Sequence, residues 1–149
     1  MTKTSVRLGT LADESAVFAL LPALMEGELV AGLPIDQSHS ARAVYRDLVT
    51  GTRGSAIVLE LDGEVLGVIT SSYVSAIRYG GDYARLEELI VDDKVRGTGA
   101  GMALLKAAIA EARRRSCRLV TLYSREHTRA FYEKAGFRYA GPELHLAID

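Results

Sequence analysis

Hydrophobic and polar positions change their period along this chain, and each change marks a new structural element. A short strand is predicted at residues 5–8, and runs rich in β-branched residues predict strands at residues 56–61 and 64–70. The last two runs are joined by Asp62-Gly63, the strongest short signal for a β-hairpin. Apolar residues at spacings of three and four predict helices, whose inward positions are Val17, Leu20, Leu21 and Leu24, then Ala41, Val44 and Leu48, and then Met102, Leu105, Ile109 and Ala112.

Proline and glycine set the limits of the first helices. Thr10 followed by Asp13 is a helix-start pattern, and Pro22 predicts that the first helix kinks or ends early. The stretch 25–39 mixes glycine and proline with apolar residues, which predicts a loop that can pack over a pocket. A second helix is predicted at residues 40–49, and the glycines that follow end it.

A polar and aromatic segment, residues 71–83, precedes a strand predicted at residues 86–91. Glycines at 80 and 81 predict a turn, so the segment leads into that strand as a hairpin. Two interpretations of the segment stay open, a lip that contacts an acceptor substrate or aromatic cross-strand pairs in a long hairpin. The side chains concerned are Tyr73, Arg78, Tyr79 and Tyr83.

The last third of the chain adds further strands to the sheet. A crossover helix normally returns the chain to the same sheet, which predicts a parallel strand at residues 118–123. A short helix is predicted at 128–135, with Gly136 as its stop, and final strands at 137–140 and 144–148. These elements together predict a single α+β domain over residues 1–149.

A turn of small residues joins the strand at 86–91 to the long helix. It reads Gly97-Thr-Gly-Ala-Gly101, so glycines lie at the first turn of the helix. Backbone N–H groups there have no intrahelical partners, and the helix dipole places partial positive charge at this end. Glycine leaves room for a phosphate to approach, and Arg96 adds a cation. The sequence therefore predicts a diphosphate-binding turn.

Spacing separates this turn from two common nucleotide sites. The loop of nucleotide hydrolases requires Gly-Lys-Ser or Gly-Lys-Thr, and neither occurs in the chain. The dinucleotide-binding pattern G-x-G-x-x-G requires an interval that residues 97–101 do not have. What remains, Arg96-x-x-Gly99-x-Gly101 after a strand, resembles motif A of the GNAT superfamily of N-acetyltransferases, which binds the pyrophosphate of acetyl-coenzyme A.

A second segment, residues 128–137, also resembles the GNAT superfamily. It reads T-R-A-F-Y-E-K-A-G-F, and members of the superfamily often carry F-Y-x-x-x-G-F in the closing helix. Many relatives have an Asn several residues before the Phe-Tyr pair, whereas this chain has Ser124-Arg125-Glu126-His127 there. The hydrogen bonds that the Asn would make are therefore unassigned.

The resemblance implies a fold and a set of coenzyme contacts. The fold is α+β, with a mixed, mostly antiparallel central sheet flanked by about four helices. Acetyl-coenzyme A is the implied cosubstrate, and its pantetheine arm would pair like an added strand with the backbone of Leu89, Ile90 and Val91. The other coenzyme-binding positions that the resemblance implies are Arg96, Gly97, Thr98, Gly99, Ala100, Gly101 and Met102.

Acetylation of an amine requires a base, because an alkylamine with a pKa of ~10.4 is almost fully protonated at neutral pH. Glu87 and Glu88 lie on the strand beside which the thioester should bind, and alternation directs only one of them to the cleft. We favour Glu88, with Glu87, His127 or a water molecule as alternatives. Exposure to solvent or a structural ion pair is the alternative role for both glutamates.

Tyr132 matches the superfamily's frequent general acid, which protonates the departing coenzyme A sulfur. A tyrosine pKa of ~10 against ~8.5 for a thiol makes full proton transfer uphill by about 2 kcal/mol. A hydrogen bond to the sulfur is therefore the alternative contribution. A tyrosine beside Phe131 can also be an ordinary core residue.

Composition and charge exclude several classes of partner. Eighteen basic and nineteen acidic side chains give a formal net charge of −1, so no broad positive field is available for nucleic acid. The chain has no apolar run of signal-peptide or membrane-span length, so we expect a cytoplasmic protein without a membrane partner. The single Cys117 excludes an internal disulfide, and three scattered histidines predict no metal site.

The patterns together predict an enzyme that moves an acetyl group from acetyl-coenzyme A to the primary amine of a small molecule, by direct transfer in a ternary complex. A protein N-terminus or lysine side chain is the alternative acceptor. A coenzyme A-binding regulatory module without turnover is the alternative from another class. The identity of the amine and the use of an acyl group other than acetyl stay open, and a homodimer is an expectation at the level of the family.

Overall fold

A five-stranded sheet runs through the part of the chain that the computed structural model describes, residues 3–26 and 36–148. Its strands lie side by side in chain order, each of the first four antiparallel to the next, and the last strand is parallel to its neighbour. This confirms the mixed, mostly antiparallel sheet. The strands are β1 (Thr4–Leu8), β2 (Gly54–Leu61), β3 (Glu64–Ala76), β4 (Gly81–Val91) and β5 (Val120–Leu122).

Within residues 3–26 and 36–148, four α-helices flank the sheet, and they divide between its two faces. The helices α1 and α2 pack on one face, and α3 and α4 pack on the other, each pair over its own hydrophobic cluster. The predicted α+β class is therefore confirmed. The helices are α1 (Glu14–Leu20), α2 (His39–Thr50), α3 (Ala100–Arg114) and α4 (Arg129–Glu133). Within the described residues, no helix combines the length and the apolar character that crossing a membrane requires.

Alternation along the central strands explains why both faces are apolar. Val58 and Val68 point toward α1 and α2, whereas Leu59 and Ile69, each one residue further along, point toward α3 and α4. All four side chains are buried. The strands that lie between helices on both sides are nearly continuous hydrophobic runs for this reason.

The start of α1 follows the predicted pattern. Thr10 and Asp13 form a capping box before a short 3₁₀ turn, and the Asp13 carboxylate also accepts hydrogen bonds from Arg7. The α-helix ends at Leu20, and a 3₁₀ segment that contains Pro22 follows it. This confirms the early end predicted from Pro22. The helix cannot continue regularly through Pro22, because proline lacks the backbone N–H that the next turn requires.

The inward face of α2 differs from the prediction. Val44 is 59% exposed, whereas Tyr45 is 3% exposed and donates a hydrogen bond from its hydroxyl to the Thr10 carbonyl at 2.7 Å. The buried stripe therefore passes through Ala41, Tyr45 and Leu48, which is regular helical spacing. Since each residue turns the helix by about 100°, Val44 lies outside that stripe. Most of the predicted loop, residues 27–35, lies outside the described residues.

Two hairpins connect β2, β3 and β4. Asp62 and Gly63 both have positive φ angles, 52° and 81°, as expected for the tight turn predicted there. The second hairpin turns at a 3₁₀ segment that ends on Gly80, with a φ of 65°. Arg78 lies over the rings of two neighbouring tyrosines at the hairpin tip, which agrees with the interpretation of residues 71–83 as an aromatic hairpin.

The C-terminal part of the chain corrects three predicted strands. The strand predicted at 118–123 is limited to the three residues of β5, and residues 137–140 and 144–148 form no strand. Gly141 has a φ of 124°, and Pro142 has no backbone donor, so an extended ladder is interrupted there. The alternating side chains that suggested a half-buried strand are 84–91% exposed, namely Leu144, Leu146 and Ile148.

Candidate active site

The edge of β4 opens toward β5 where the two strands separate. β4 pairs with β5 only from Ala84 to Leu86, whereas on its other side it pairs with β3 as far as Val91. Residues 87–91 therefore present one unpaired main-chain edge within the described part of the chain. Such an edge can bind an extended ligand through main-chain hydrogen bonds.

A β-bulge lies at the start of this open edge. Leu86 pairs with Ser71 and Glu88 pairs with Thr70, which leaves Glu87 as the extra residue. Without the bulge, Leu86 and Glu88 would share one face of the sheet. Because of it, Leu86 packs toward α3, while Glu88 points to the other face, on the side of α1 and α2.

Glu88 is half-buried and is held by one side chain of β3. The Thr70 hydroxyl donates to Glu88 Oε2 at 2.5 Å and accepts a hydrogen bond from the Glu88 amide at 3.1 Å. Burial raises the pKa of Glu88 above its ordinary value, the nearby Glu87 charge adds to the increase, and the hydrogen bond from Thr70 partly opposes it. A carboxylate with a raised pKa suits a general base.

The glycine turn after β4 presents main-chain donors. Gly97 and Gly99 have φ angles of 75° and 88°, and a Cβ atom at either position would meet no atom within 4 Å. Gly99 is the N-cap of α3, so the helix begins at Ala100. Among the described residues, no protein acceptor forms a well-formed hydrogen bond with the amides of residues 97–102. The turn therefore offers a set of free N–H groups at a helix N-terminus.

Packing places α4 against this turn. A Cβ atom on Gly101 would lie 3.5 Å from the Phe131 ring, which is an ordinary van der Waals distance, so the first turn of α3 packs directly against α4. Arg96 is exposed at the same end, with its Nε 3.0 Å from Asp93 Oδ1. Thr98 uses its hydroxyl to donate to the Val95 carbonyl, which stabilises the turn.

Tyr132 lies on α4, half-buried among aromatic rings. Its ring makes edge-to-face contacts with Phe131 and Phe137, at centroid distances of 5.0 and 5.9 Å. Burial raises the pKa of Tyr132, so the hydroxyl stays protonated at neutral pH. No described residue forms a hydrogen bond with this hydroxyl.

The segment 124–127, which stands where many relatives have an Asn, makes local hydrogen bonds. The Ser124 hydroxyl lies 2.9 Å from that of Thr128 and donates to the Arg125 carbonyl at 3.0 Å. His127 is exposed in the 3₁₀ turn that precedes α4. Ser124 therefore stabilises the start of α4 locally.

The structure places the predicted coenzyme positions on two adjoining features. Leu89, Ile90 and Val91 form the open edge of β4, and residues 96–102 form the turn and the first residues of α3. Sequence analysis missed three residues on the Glu88 side, Thr70, Arg85 and Glu143, because only the bulge and the path of the tail bring them there. No cluster of three potential metal ligands occurs among the described residues.

A comparison with protein families decides the assignment. Residues 12–137 match the model of the acetyltransferase (GNAT) family, which covers most of the chain. The chain belongs to the GNAT family. The separation of β4 from β5 and the glycine turn before α3 thus occur in a protein of this family.

Two curated relatives are both named for one activity. The glucosamine 6-phosphate N-acetyltransferase of Trypanosoma brucei brucei is 39% identical over 71 residues, which are 48% of this chain and 48% of that protein. A probable glucosamine 6-phosphate N-acetyltransferase 2 of rice, Oryza sativa subsp. japonica, is 31% identical over 68 residues, 46% of this chain and 41% of the relative. The matched segment thus spans about half the length, or less, of these relatives.

Solved structures share the fold over almost the whole chain. An acetyltransferase of Trypanosoma brucei superposes with a TM-score of 0.79 at 26% identity, covering 98% of this chain and 100% of that one. The glucosamine-6-phosphate N-acetyltransferase of Arabidopsis thaliana superposes with a TM-score of 0.78 at 20% identity, covering 99% of each chain. A predicted acetyltransferase of Clostridium acetobutylicum, solved with acetyl-coenzyme A, has a TM-score of 0.81 at 15% identity and covers 97% and 96%.

Proposed function

We propose that this GNAT-family protein transfers an acetyl group from acetyl-coenzyme A to the primary amine of a small molecule, by direct attack in a ternary complex. One arrangement supports the proposal: the open edge of β4 carries a half-buried glutamate with a raised pKa, and the chain leads from that edge into the free amides of residues 97–102. Donors for an anion, an edge for an extended arm and a base therefore occur along one stretch of the chain.

The coenzyme would bind along the open edge and into the turn. The amides at residues 97–102 donate to its diphosphate, with Arg96 as an exposed cation nearby. The main chain of Leu89, Ile90 and Val91 pairs with the pantetheine arm, as one strand pairs with another. A main-chain N–H of this edge also polarises the thioester carbonyl, which lowers the barrier to attack.

Glu88 would remove the proton that blocks attack. Acetyl-coenzyme A supplies an activated thioester carbon, but only a neutral amine can attack it. Glu88 accepts the proton from the bound ammonium directly or through a water molecule, and Thr70 fixes the carboxylate orientation. The raised pKa makes Glu88 a stronger base than an exposed carboxylate.

Tyr132 would assist departure of the sulfur. As nitrogen bonds to the carbonyl carbon, the carbon–sulfur bond breaks and negative charge develops on sulfur. The protonated Tyr132 hydroxyl donates a hydrogen bond to it. Among the described residues this hydroxyl has no competing partner, so it is available for that contact.

An amino sugar is the first acceptor to test. Both curated relatives carry the name glucosamine 6-phosphate N-acetyltransferase, which supports a small amine rather than a protein as acceptor. Cytoplasmic location and a homodimer stay predictions.

Release of free thiol from acetyl-coenzyme A tests the function. We expect release with an amine panel that includes glucosamine 6-phosphate, and its loss in Glu88→Gln. Peptides with free N-termini or lysines serve as the second panel, so peptide turnover alone would favour the protein acceptor. Coenzyme binding without thiol release on either panel would contradict the proposal and favour a regulatory module.

A further inference from the structure

A buried threonine on β3 directs its side-chain hydroxyl to Glu88. Thr70 is 6% exposed and follows an apolar stretch of the strand. Its side chain points to the face of α1 and α2, as does that of Val68 two residues earlier. Across the ladder Thr70 lies opposite Glu88, which the β-bulge turns to the same face. The bulge therefore brings a hydroxyl and a carboxylate together between two buried strands.

The Thr70 hydroxyl makes two contacts with this one residue. It accepts a hydrogen bond from the Glu88 amide at 3.1 Å and donates one to Glu88 Oε2 at 2.5 Å. The amide can only donate, so it occupies a lone pair of the hydroxyl and leaves the single hydrogen for Oε2. A distance of 2.5 Å is typical of a hydroxyl that donates to an ionised carboxylate. The two contacts close a ring that holds the Glu88 side chain against its own main chain.

The two oxygens of Glu88 therefore differ. Oε2 is held by Thr70, whereas Oε1 makes no hydrogen bond with any described residue. Glu88 is only half-buried, and Oε1 is not one of the oxygens that are closed off without a partner, as Glu143 Oε2 is. A proton that reaches this carboxylate therefore finds a free lone pair on Oε1.

Stability alone does not explain a polar pair at this place. Burying a carboxylate costs free energy, and two apolar side chains of similar volume would avoid that cost. The adjacent pair on the same face, Val68 opposite Ile90, is apolar and buried. The change from an apolar pair to Thr70 with Glu88 thus favours a functional role.

Thr70 also affects the charge of Glu88. Burial raises the Glu88 pKa, the charge of Glu87 adds to the increase, and the hydrogen bond from Thr70 lowers it. Loss of the hydroxyl should therefore raise this pKa further. Other charged groups of α1, α2, β4 and the tail are joined in ion pairs, namely Glu14 with Arg42 and Arg46, and Arg85 with Glu143.

We propose that Thr70 is a positioning residue that assigns different tasks to the two oxygens of Glu88: the Thr70 hydroxyl holds Oε2, and Oε1 takes the proton from the acceptor amine. In this step one N–H bond of the ammonium group breaks, its electron pair stays on nitrogen, and the proton bonds to Oε1. Thr70 keeps its own proton. The inference rests on the proposed function and adds which atom of the base reacts and what sets the pH range in which the base is ionised.

Thr70→Val removes the hydroxyl and keeps the shape of the side chain, so it tests the inference directly. An NMR titration that follows the carboxyl carbon of Glu88, assigned with Glu88→Gln, measures its ionisation without any acetyl transfer. We expect the midpoint in Thr70→Val to lie about one pH unit above that of the wild type, because a hydrogen bond to the charged form is lost. Thr70→Ser keeps the hydroxyl and should keep the wild-type midpoint.

The pH profile of kcat/KM follows the same group during turnover. In Thr70→Val the acidic limb should move to higher pH together with the NMR midpoint. Above that limb, kcat should stay roughly tenfold below the wild type, because a carboxylate that is free to turn is a less well placed base. The KM for acetyl-coenzyme A should not change. Ser71→Ala is the matched control, since Ser71 is the next residue of β3, is buried and points to the opposite face.

Three results would count against the proposals in different ways. Equal midpoints in the wild type and Thr70→Val would overturn the inference alone. A Thr70→Ser variant that behaves like Thr70→Val would also overturn it, because packing of the methyl group and not the hydroxyl would then matter. A shifted midpoint without turnover of any amine would overturn the proposed function, and with it the role of Oε1, while the hydrogen bond from Thr70 would stand.

Discussion

The two faces of β4 are built in different ways. On the side of α3 and α4, the site consists of main-chain groups and small residues, with Tyr132 among aromatic rings. On the side of α1 and α2, it consists of charged side chains, Glu88 and the pair of Arg85 with Glu143. The first arrangement suits an anionic ligand with an extended arm, and the second suits a ligand that donates hydrogen bonds or protons.

The bulge at Glu87 connects the two faces. It directs Leu86 to the apolar side and Glu88 to the charged side within three residues. Under the proposed function, Glu88 points toward the acceptor while the same strand keeps its open edge for the coenzyme. A substitution on one face should accordingly impair the function of that face and leave the function of the other face unchanged.

The largest effect is expected at Glu88. Glu88→Gln should lower kcat by about 100-fold or more, because a general base contributes at least that much, while acetyl-coenzyme A affinity stays unchanged. Steady-state kinetics with calorimetric titration of the coenzyme measures both. Glu87→Gln tests the alternative base and should lower kcat far less, since the bulge leaves that side chain exposed. Equal losses in the two variants would show that the bulge does not select the base.

Alanine at Gly99 should weaken the other face. Its Cβ would enter the open space where a phosphate approaches, so the dissociation constant for acetyl-coenzyme A should rise roughly 10- to 100-fold. Gly63→Ala is the matched control, because Gly63 has a similar φ of 81° and open surroundings but lies in the β2–β3 hairpin. Both variants should lose about 1 kcal/mol of stability from the left-handed backbone. Equal coenzyme affinity in the two would argue against the turn as the binding site.

A smaller effect is expected at Tyr132. Tyr132→Phe keeps the ring contacts and removes one hydroxyl, so kcat should fall by roughly tenfold, which is the contribution of one hydrogen bond to a charged atom. Tyr139→Phe, at an exposed tyrosine, should leave kcat unchanged. A kcat equal to that of the wild type in Tyr132→Phe would limit this tyrosine to packing.

The parts of the molecule that could be predicted from sequence are local. The glycine turn, the hairpin at Asp62-Gly63 and the end of α1 before Pro22 depend on neighbouring residues, and all follow their sequence signals. The charged face depends on residues 85, 88 and 143, which only tertiary structure brings together. No spacing rule relates Glu143 to Arg85 across 58 positions.

The wrong predictions, of a last strand and of the inward face of α2, also concern features that depend on tertiary structure. Alternating apolar residues, as at 144–148, form a strand only when they can pair with the edge of a sheet. Here Gly141 has a positive φ, and Pro142 lacks a backbone donor, so the segment does not pair with the sheet. In α2, periodicity could not choose between Val44 and Tyr45, and the hydrogen bond from Tyr45 to the Thr10 carbonyl fixes the rotation of the helix.

The smallest effect is a pH dependence of stability at Glu88. A carboxyl whose pKa is raised on folding adds stability that is complete below its unfolded pKa of ~4.3 and is lost as the pH rises through the folded pKa. Urea unfolding of the wild type and Glu88→Gln should therefore favour the wild type more at pH ~4 than at pH ~7. A difference that does not vary with pH would mean that the Glu88 pKa is unchanged by folding.

The most direct test of the central claim compares coenzyme A with pantetheine, which lacks the diphosphate, by following backbone amide signals in an NMR titration. The account predicts that the amides of residues 97–102 shift with coenzyme A and not with pantetheine, whereas those of residues 89–91 shift with both. Unchanged signals at 97–102 with saturating coenzyme A would contradict the claim that these free amides bind the diphosphate.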